Sequence, residues 1–128
     1  MKTLDTLVSE KAFMSAVVDL ARLTGWLCYH TFDSRRSEAG YPDLTLTQGG
    51  RVLFVELKTE RGRATEAQRQ WLEALASCPG LEVHVWRPTD WDEIERTLRR
   101  GRGRKPIQIA GGPQKPGEPR APRARRNR

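Results

Sequence analysis

A chain of 128 residues has room for one ordinary domain, and its formal charge of +7 points towards an anionic partner. The charge is uneven: from residue 99 onward 11 Lys or Arg stand against one acid, Glu118, leaving 12 basic and 15 acidic residues in 1–98, so the tail is near +10 and the body near −3. Two cysteines are too few for a disulfide framework, and no apolar run approaches the ~18 residues of a membrane span, so reduced thiols in a cytoplasm are expected.

Ser9 is a helix cap with Glu10 in the first turn, where a carboxylate suits the helix dipole, and the spacing predicts a helix over 9–24. Phe13, Ala16, Val17, Leu20 and Ala21 form its apolar face, and Gly25 stands at its C-terminal cap. A strand follows over 26–30. The stretch 31–41 is a polar, charged loop, longer than the usual connection of ~4–6 residues. Strands over 43–47 and 51–58 then read as a hairpin about Gln48-Gly49-Gly50.

Thr65-Glu66-Ala67-Gln68 has the form of a capping box and opens a second helix with Ala67, Trp71, Leu72 and Leu75 inward, stopped by Pro79-Gly80. In 81–86, Leu81, Val83 and Val85 alternate with Glu82, His84 and Trp86, which predicts a fourth strand with His84 on its exposed side. Asp90-Trp91-Asp92-Glu93 reads as another capping box before a last helix over 91–98. The order α-β-β-β-α-β-α implies an α/β fold, a mixed sheet of about four strands flanked by helices. Its second helix connects a candidate parallel strand pair. The reading gives one domain over 1–98 and a Gly/Pro/Arg-rich disordered tail over 99–128.

Chemistry concentrates in the hairpin. Glu56 and Lys58 alternate with Leu57 and share one face, their α-carbons roughly 6–7 Å apart. Asp43 and Glu56, close across the hairpin, would repel unless a cation sat between them. Oxygen ligands without a Cys or His pair favour Mg²⁺ or Mn²⁺ over Zn²⁺. Each residue also has a plainer role: Asp43 could end a turn after Pro42, and Glu56 and Lys58 could pair on a solvated strand face. The flanking Leu53, Phe54, Val55 and Leu57 argue for a strand too buried for that second role.

Gly40-Tyr41-Pro42-Asp43-Leu44, Glu56-Leu57-Lys58, Glu10 and the Gly62-Arg63-x-Thr65-x-x-Gln68 stretch together resemble the VRR-NUC branch of the PD-(D/E)xK nuclease superfamily over about residues 9–98. The resemblance implies a restriction-endonuclease-like core that hydrolyses DNA phosphodiesters with a divalent cation, Mg²⁺ or Mn²⁺. Asp43, Glu56 and the Leu57 backbone carbonyl would be its ligands, with Glu10 completing the acidic site. Lys58 would position water or offset phosphate charge. The family places Gln68 near the scissile phosphate, whereas its place in the capping box gives it a structural job, and these stand as alternatives for one side chain. His30, Arg35, Arg36 and Ser37 precede the site as candidate phosphate contacts.

Small stand-alone members of the family resemble junction-resolving enzymes, which implies a homodimer acting on branched DNA such as a four-way junction. Compact nucleases of this kind resemble those carried by phages. The tail would bind phosphates without reading sequence, with affinity falling steeply in salt. The alternative is a non-catalytic nucleic-acid-binding module in DNA repair, recombination or packaging.

Overall fold

The computed structural model describes residues 8–32 and 38–100. Arg35, Arg36, Ser37 and the tail from residue 101 lie outside the described residues. Helix α1 (Glu10–Leu23) begins where Ser9 accepts a hydrogen bond from the Ala12 amide, 3.1 Å, and ends at Thr24. Strands β1 (Leu27–His30), β2 (Leu44–Gln48) and β3 (Arg51–Leu57) follow. Helix α2 (Glu66–Ala76), strand β4 (Leu81–Trp86), a 3₁₀ turn (Pro88–Asp90) and helix α3 (Trp91–Arg99) complete the chain. The sheet order is β1-β2-β3-β4, with β1-β2 and β2-β3 antiparallel and β3-β4 parallel across the α2 crossover. Among the described residues no helix is long and apolar enough to cross a membrane.

One face of the sheet carries the core. Leu44, Leu46, Leu53, Val55 and Leu57 meet Phe13, Val17, Leu20 and Ala21 of α1 and Ile94 and Leu98 of α3. Ala16, expected inward, is exposed, because the buried set Phe13, Val17, Leu20 and Ala21 already fills the narrow stripe facing the sheet. The face expectation for β4 is also reversed. Trp86 is buried, Val85 is exposed and His84 is half-buried, since the parallel register puts Glu82, His84 and Trp86 opposite the core residues Leu53, Val55 and Leu57. Burial lowers the His84 imidazole below its usual range, against the opposing pull of Glu82 and Glu93. Its ring stacks on Trp86.

On α2 only Leu72 is fully buried, with Ala67, Trp71 and Leu75 half-buried. Asp90 does not cap α3 with its side chain. Its carboxylate accepts instead from the Arg87 amide, 2.8 Å, because the turn from Pro88 brings it back to the end of β4. Arg51 ties the far end together: its guanidinium donates to both Glu82 oxygens at 2.7 Å and to the Thr97 and Arg100 carbonyls. It also lies over the Trp26 ring, whose Nε1 donates to the Leu98 carbonyl.

Candidate active site

The site lies where β2 begins and β3 ends. Pairing of Leu44 with Val55 brings the preceding Asp43 beside the Glu56 end of β3. Asp43 Oδ2 accepts from the Leu57 amide, 2.8 Å, and its carbonyl accepts from the Thr31 amide, 2.8 Å. These bonds fix the Asp43 carboxylate at the mouth of the hairpin between β1 and β3.

The approach to Asp43 is built for close packing. Gly40 has φ +90°, and a Cβ there would lie 2.6 Å from the Ala67 oxygen and the Gln68 nitrogen. Glycine thus lets the loop press onto the first turn of α2. Tyr41 sits edge-on to Phe54 and Trp71, at ring distances of 6.3 and 5.1 Å, which pins the loop between sheet and helix. Pro42 behind it is buried.

Glu56 is 2% and Lys58 8% exposed, so neither is a solvated strand-face charge. Glu56 Oε1 lies 3.5 Å from Lys58 Nζ and accepts from Gln68 Nε2, 3.0 Å. Glu56 Oε2 is buried with no hydrogen-bond partner. Burial first, then the Asp43 charge, pushes the Glu56 carboxyl up to about 7, against the opposing pull of Lys58. Withdrawn from water and facing a second acid, this carboxylate calls for a cation to hold it ionised.

Gln68 corrects the expected choice between two jobs. Its Oε1 accepts from the Thr65 amide, 2.9 Å, in a complete capping box, while its Nε2 holds Glu56. The amide has an acceptor end and a donor end, and one orientation serves both.

Glu10, His30, Asp43, Glu56, Leu57, Lys58 and Gln68 all line one open cleft of about 860 Å³. Glu10 shares this cleft without joining the acidic pair at close range: among the described residues no group of three His, Cys, Asp or Glu side chains is arranged to hold a metal ion. Two carboxylates nonetheless suit Mg²⁺ or Mn²⁺, since Mg²⁺ is commonly held by one or two carboxylates, its remaining positions going to water and substrate phosphate. The orphaned Oε2 of Glu56 supplies a free oxygen ligand, so the residues present fit such an ion.

The segment after Lys58 is held by groups that carry no sequence signature. The Lys58 amide donates to the Trp86 carbonyl, extending the β3-β4 pairing past the strand. Arg87 Nη1 donates to the carbonyls of Thr59, Glu60 and Gly62. The Glu60 carboxylate in turn accepts from the amide and hydroxyl of Thr89. An Arg at the end of a strand and a Glu in a loop look like surface charges, and only the parallel crossover that lays β4 beside β3 gives them partners.

Comparison with known proteins gives a consistent set of findings. A family model described as the VRR-NUC domain matches residues 6–89, a span that holds every candidate residue named above. A solved structure named "VRR_NUC domain protein" resembles the chain with a TM-score of 0.53 at 21% identity, covering 71% of this chain and 90% of its own. At that identity the likeness concerns the fold. No curated protein matches.

Proposed function

Because the chain belongs to the VRR-NUC family, a nuclease-type domain, we propose that it is a divalent-metal-dependent endonuclease that hydrolyses DNA phosphodiester bonds, structure-selective for branched DNA such as four-way junctions. The observation that carries the reading is the buried Glu56 carboxylate facing a half-buried Asp43 and sharing an open cleft with Lys58. A structural ion pair would need no second carboxylate raising the first one's pKa, and no open approach.

In this reading Asp43, Glu56 and the Leu57 carbonyl hold Mg²⁺ or Mn²⁺, with Glu10 acting across the cleft through water. The chemistry the ion supplies is neutralisation of phosphate charge and acidification of water. Lys58, set 3.5 Å from Glu56, orients the attacking water or offsets the charge that grows on the phosphate in flight. Gln68 fixes the Glu56 rotamer through Nε2, so the ligand is pre-aimed. His30, Arg35, Arg36 and Ser37 take the flanking phosphates as donors.

Selectivity for junctions would come from a homodimer presenting two clefts to opposing strands. Exposed Leu27 and Tyr29 on edge strand β1 are apolar surface that a second copy would cover. The basic tail adds affinity without sequence preference.

The test incubates purified protein with labelled linear and four-way-junction DNA, with Mg²⁺ or Mn²⁺ and with EDTA, alongside Asp43→Ala. Cutting that needs the ion and Asp43, and favours the junction, is expected. Equal cutting of linear DNA removes the junction preference. Binding without cutting by the wild type favours instead a non-catalytic DNA-binding module.

A further inference from the structure

Phe32 stands at the cleft as a large apolar ring that the hydrolysis of a phosphodiester does not use. It lines the same cleft as Asp43, Glu56 and Lys58, yet is 71% exposed. The other large apolar groups of the lining are packed into the fold: Met14 against the core, Tyr41 between Phe54 and Trp71, Leu57 within the core itself. The Thr31 amide is bonded to the Asp43 carbonyl, 2.8 Å, which anchors Phe32 one residue from the backbone of a candidate ligand. His30 stands under it, the two ring centroids 5.0 Å apart with planes tilted by 39°.

An isolated exposed phenylalanine needs no explanation. An anchored one beside a phosphate site has an obvious complement, because each phosphate of a nucleic acid carries a sugar and a flat base alongside it. Within a duplex the faces of that base are occupied by its stacked neighbours. An unpaired, unstacked base has a free face, and stacking on an aromatic side chain tolerates any base identity. Of the large apolar groups lining the cleft, Phe32 is the one that stands mostly exposed, so its ring is the face open to such a base.

We propose that Phe32, supported by His30, is a stacking platform for an unpaired nucleobase beside the scissile phosphate. The DNA accepted is then DNA with single-stranded or splayed nucleotides at the point of cutting. The proposal rests on the nuclease reading for the place of the phosphate, and it narrows branched DNA to its unpaired nucleotides.

Binding measured in EDTA, where no strand is cut, separates this from the nuclease reading. The probes are a forked DNA carrying 2-aminopurine in its unpaired arm and a fully paired duplex of equal length, titrated with wild type, Phe32→Ala and Phe32→Trp. Wild type and Phe32→Trp are expected to quench the 2-aminopurine emission and to prefer the fork. Phe32→Ala is expected to weaken fork binding by roughly 5- to 150-fold, with duplex binding unchanged. Undiminished fork binding by Phe32→Ala overturns the proposal. So does an equal loss on both DNAs, including one accompanied by a change in sedimentation that places Phe32 between two copies. Cleavage followed separately in Mg²⁺ tells the two failures apart: a chain that cuts nothing but loses fork preference with Phe32→Ala fails only as a nuclease.

Discussion

Replacing Glu56 by Gln tests the electrostatics of the site before any DNA is added. The Glu56 carboxyl is raised from 4.5 to about 7, chiefly by burial and then by Asp43. In the metal-free protein it therefore keeps its proton over a pH range where the unfolded chain has lost it. Stability from this group is fully present below the unfolded value of 4.5 and is lost as pH rises through about 7. At about 1.4 kcal/mol per pH unit, the loss over that window is about 3 kcal/mol. Glutamine cannot ionise and keeps the acceptor that Gln68 Nε2 needs. Urea unfolding in EDTA at several pH values, compared between wild type and Glu56→Gln, cancels contributions shared with His84 and Glu82. Wild-type stability relative to the variant should fall by about 3 kcal/mol between about pH 4.5 and pH 8. Excess Mg²⁺ should then restore the wild type, by about 3 kcal/mol at 100-fold over its dissociation constant, and leave the variant unchanged. A pH-independent difference, or equal Mg²⁺ stabilisation of both proteins, would refute the reasoning.

Gly40→Ala forces a Cβ against the first turn of α2 at φ +90°; thermal melts should show a loss of about 2–4 kcal/mol, and an unshifted melt would mean the loop does not press on the helix. Gln68→Ala removes both the capping acceptor and the Glu56 donor, so stability should fall by about 1–2 kcal/mol and DNA cleavage with it, while Gln68→Glu, which keeps the cap acceptor but opposes Glu56, should recover stability less well at pH 8 than at pH 5. Arg87→Ala frees three carbonyls of the segment following Lys58; the rate of cleavage should fall with little change in DNA affinity in EDTA, and a loss confined to affinity would contradict a role in placing Lys58.

The elements were legible because their signals are local. Ser9, the Thr65–Gln68 box, the Gly49-Gly50 turn and Pro79-Gly80 mark boundaries through backbone chemistry that acts within four residues. The acidic pair was legible for the same reason, since a short hairpin fixes which residues oppose each other. Sequence alternation could not say which face of β4 is buried, because Leu81, Val83 and Val85 are the more apolar set and the parallel register to β3, set by a distant crossover, turned Trp86 inward. Arg51 and Arg87 were invisible for a related reason. Each is a cation whose partners lie some 25 to 49 residues away in sequence, and a bidentate or multi-carbonyl role leaves no spacing to read. The double use of Gln68 needed the geometry as well, since the sequence shows an amide in a cap but not that its other end reaches Glu56.

The account stands on Asp43, Glu56 and Lys58 acting together on a phosphodiester, and the single-turnover rate of strand scission measures that most directly. With labelled branched DNA and excess protein, the wild type should cut in Mg²⁺, stop in EDTA, and lose at least about a hundredfold in rate with Asp43→Asn while still binding the DNA. Cutting by Asp43→Asn at the wild-type rate, or wild-type binding with no scission at any Mg²⁺ or Mn²⁺ concentration, would contradict it.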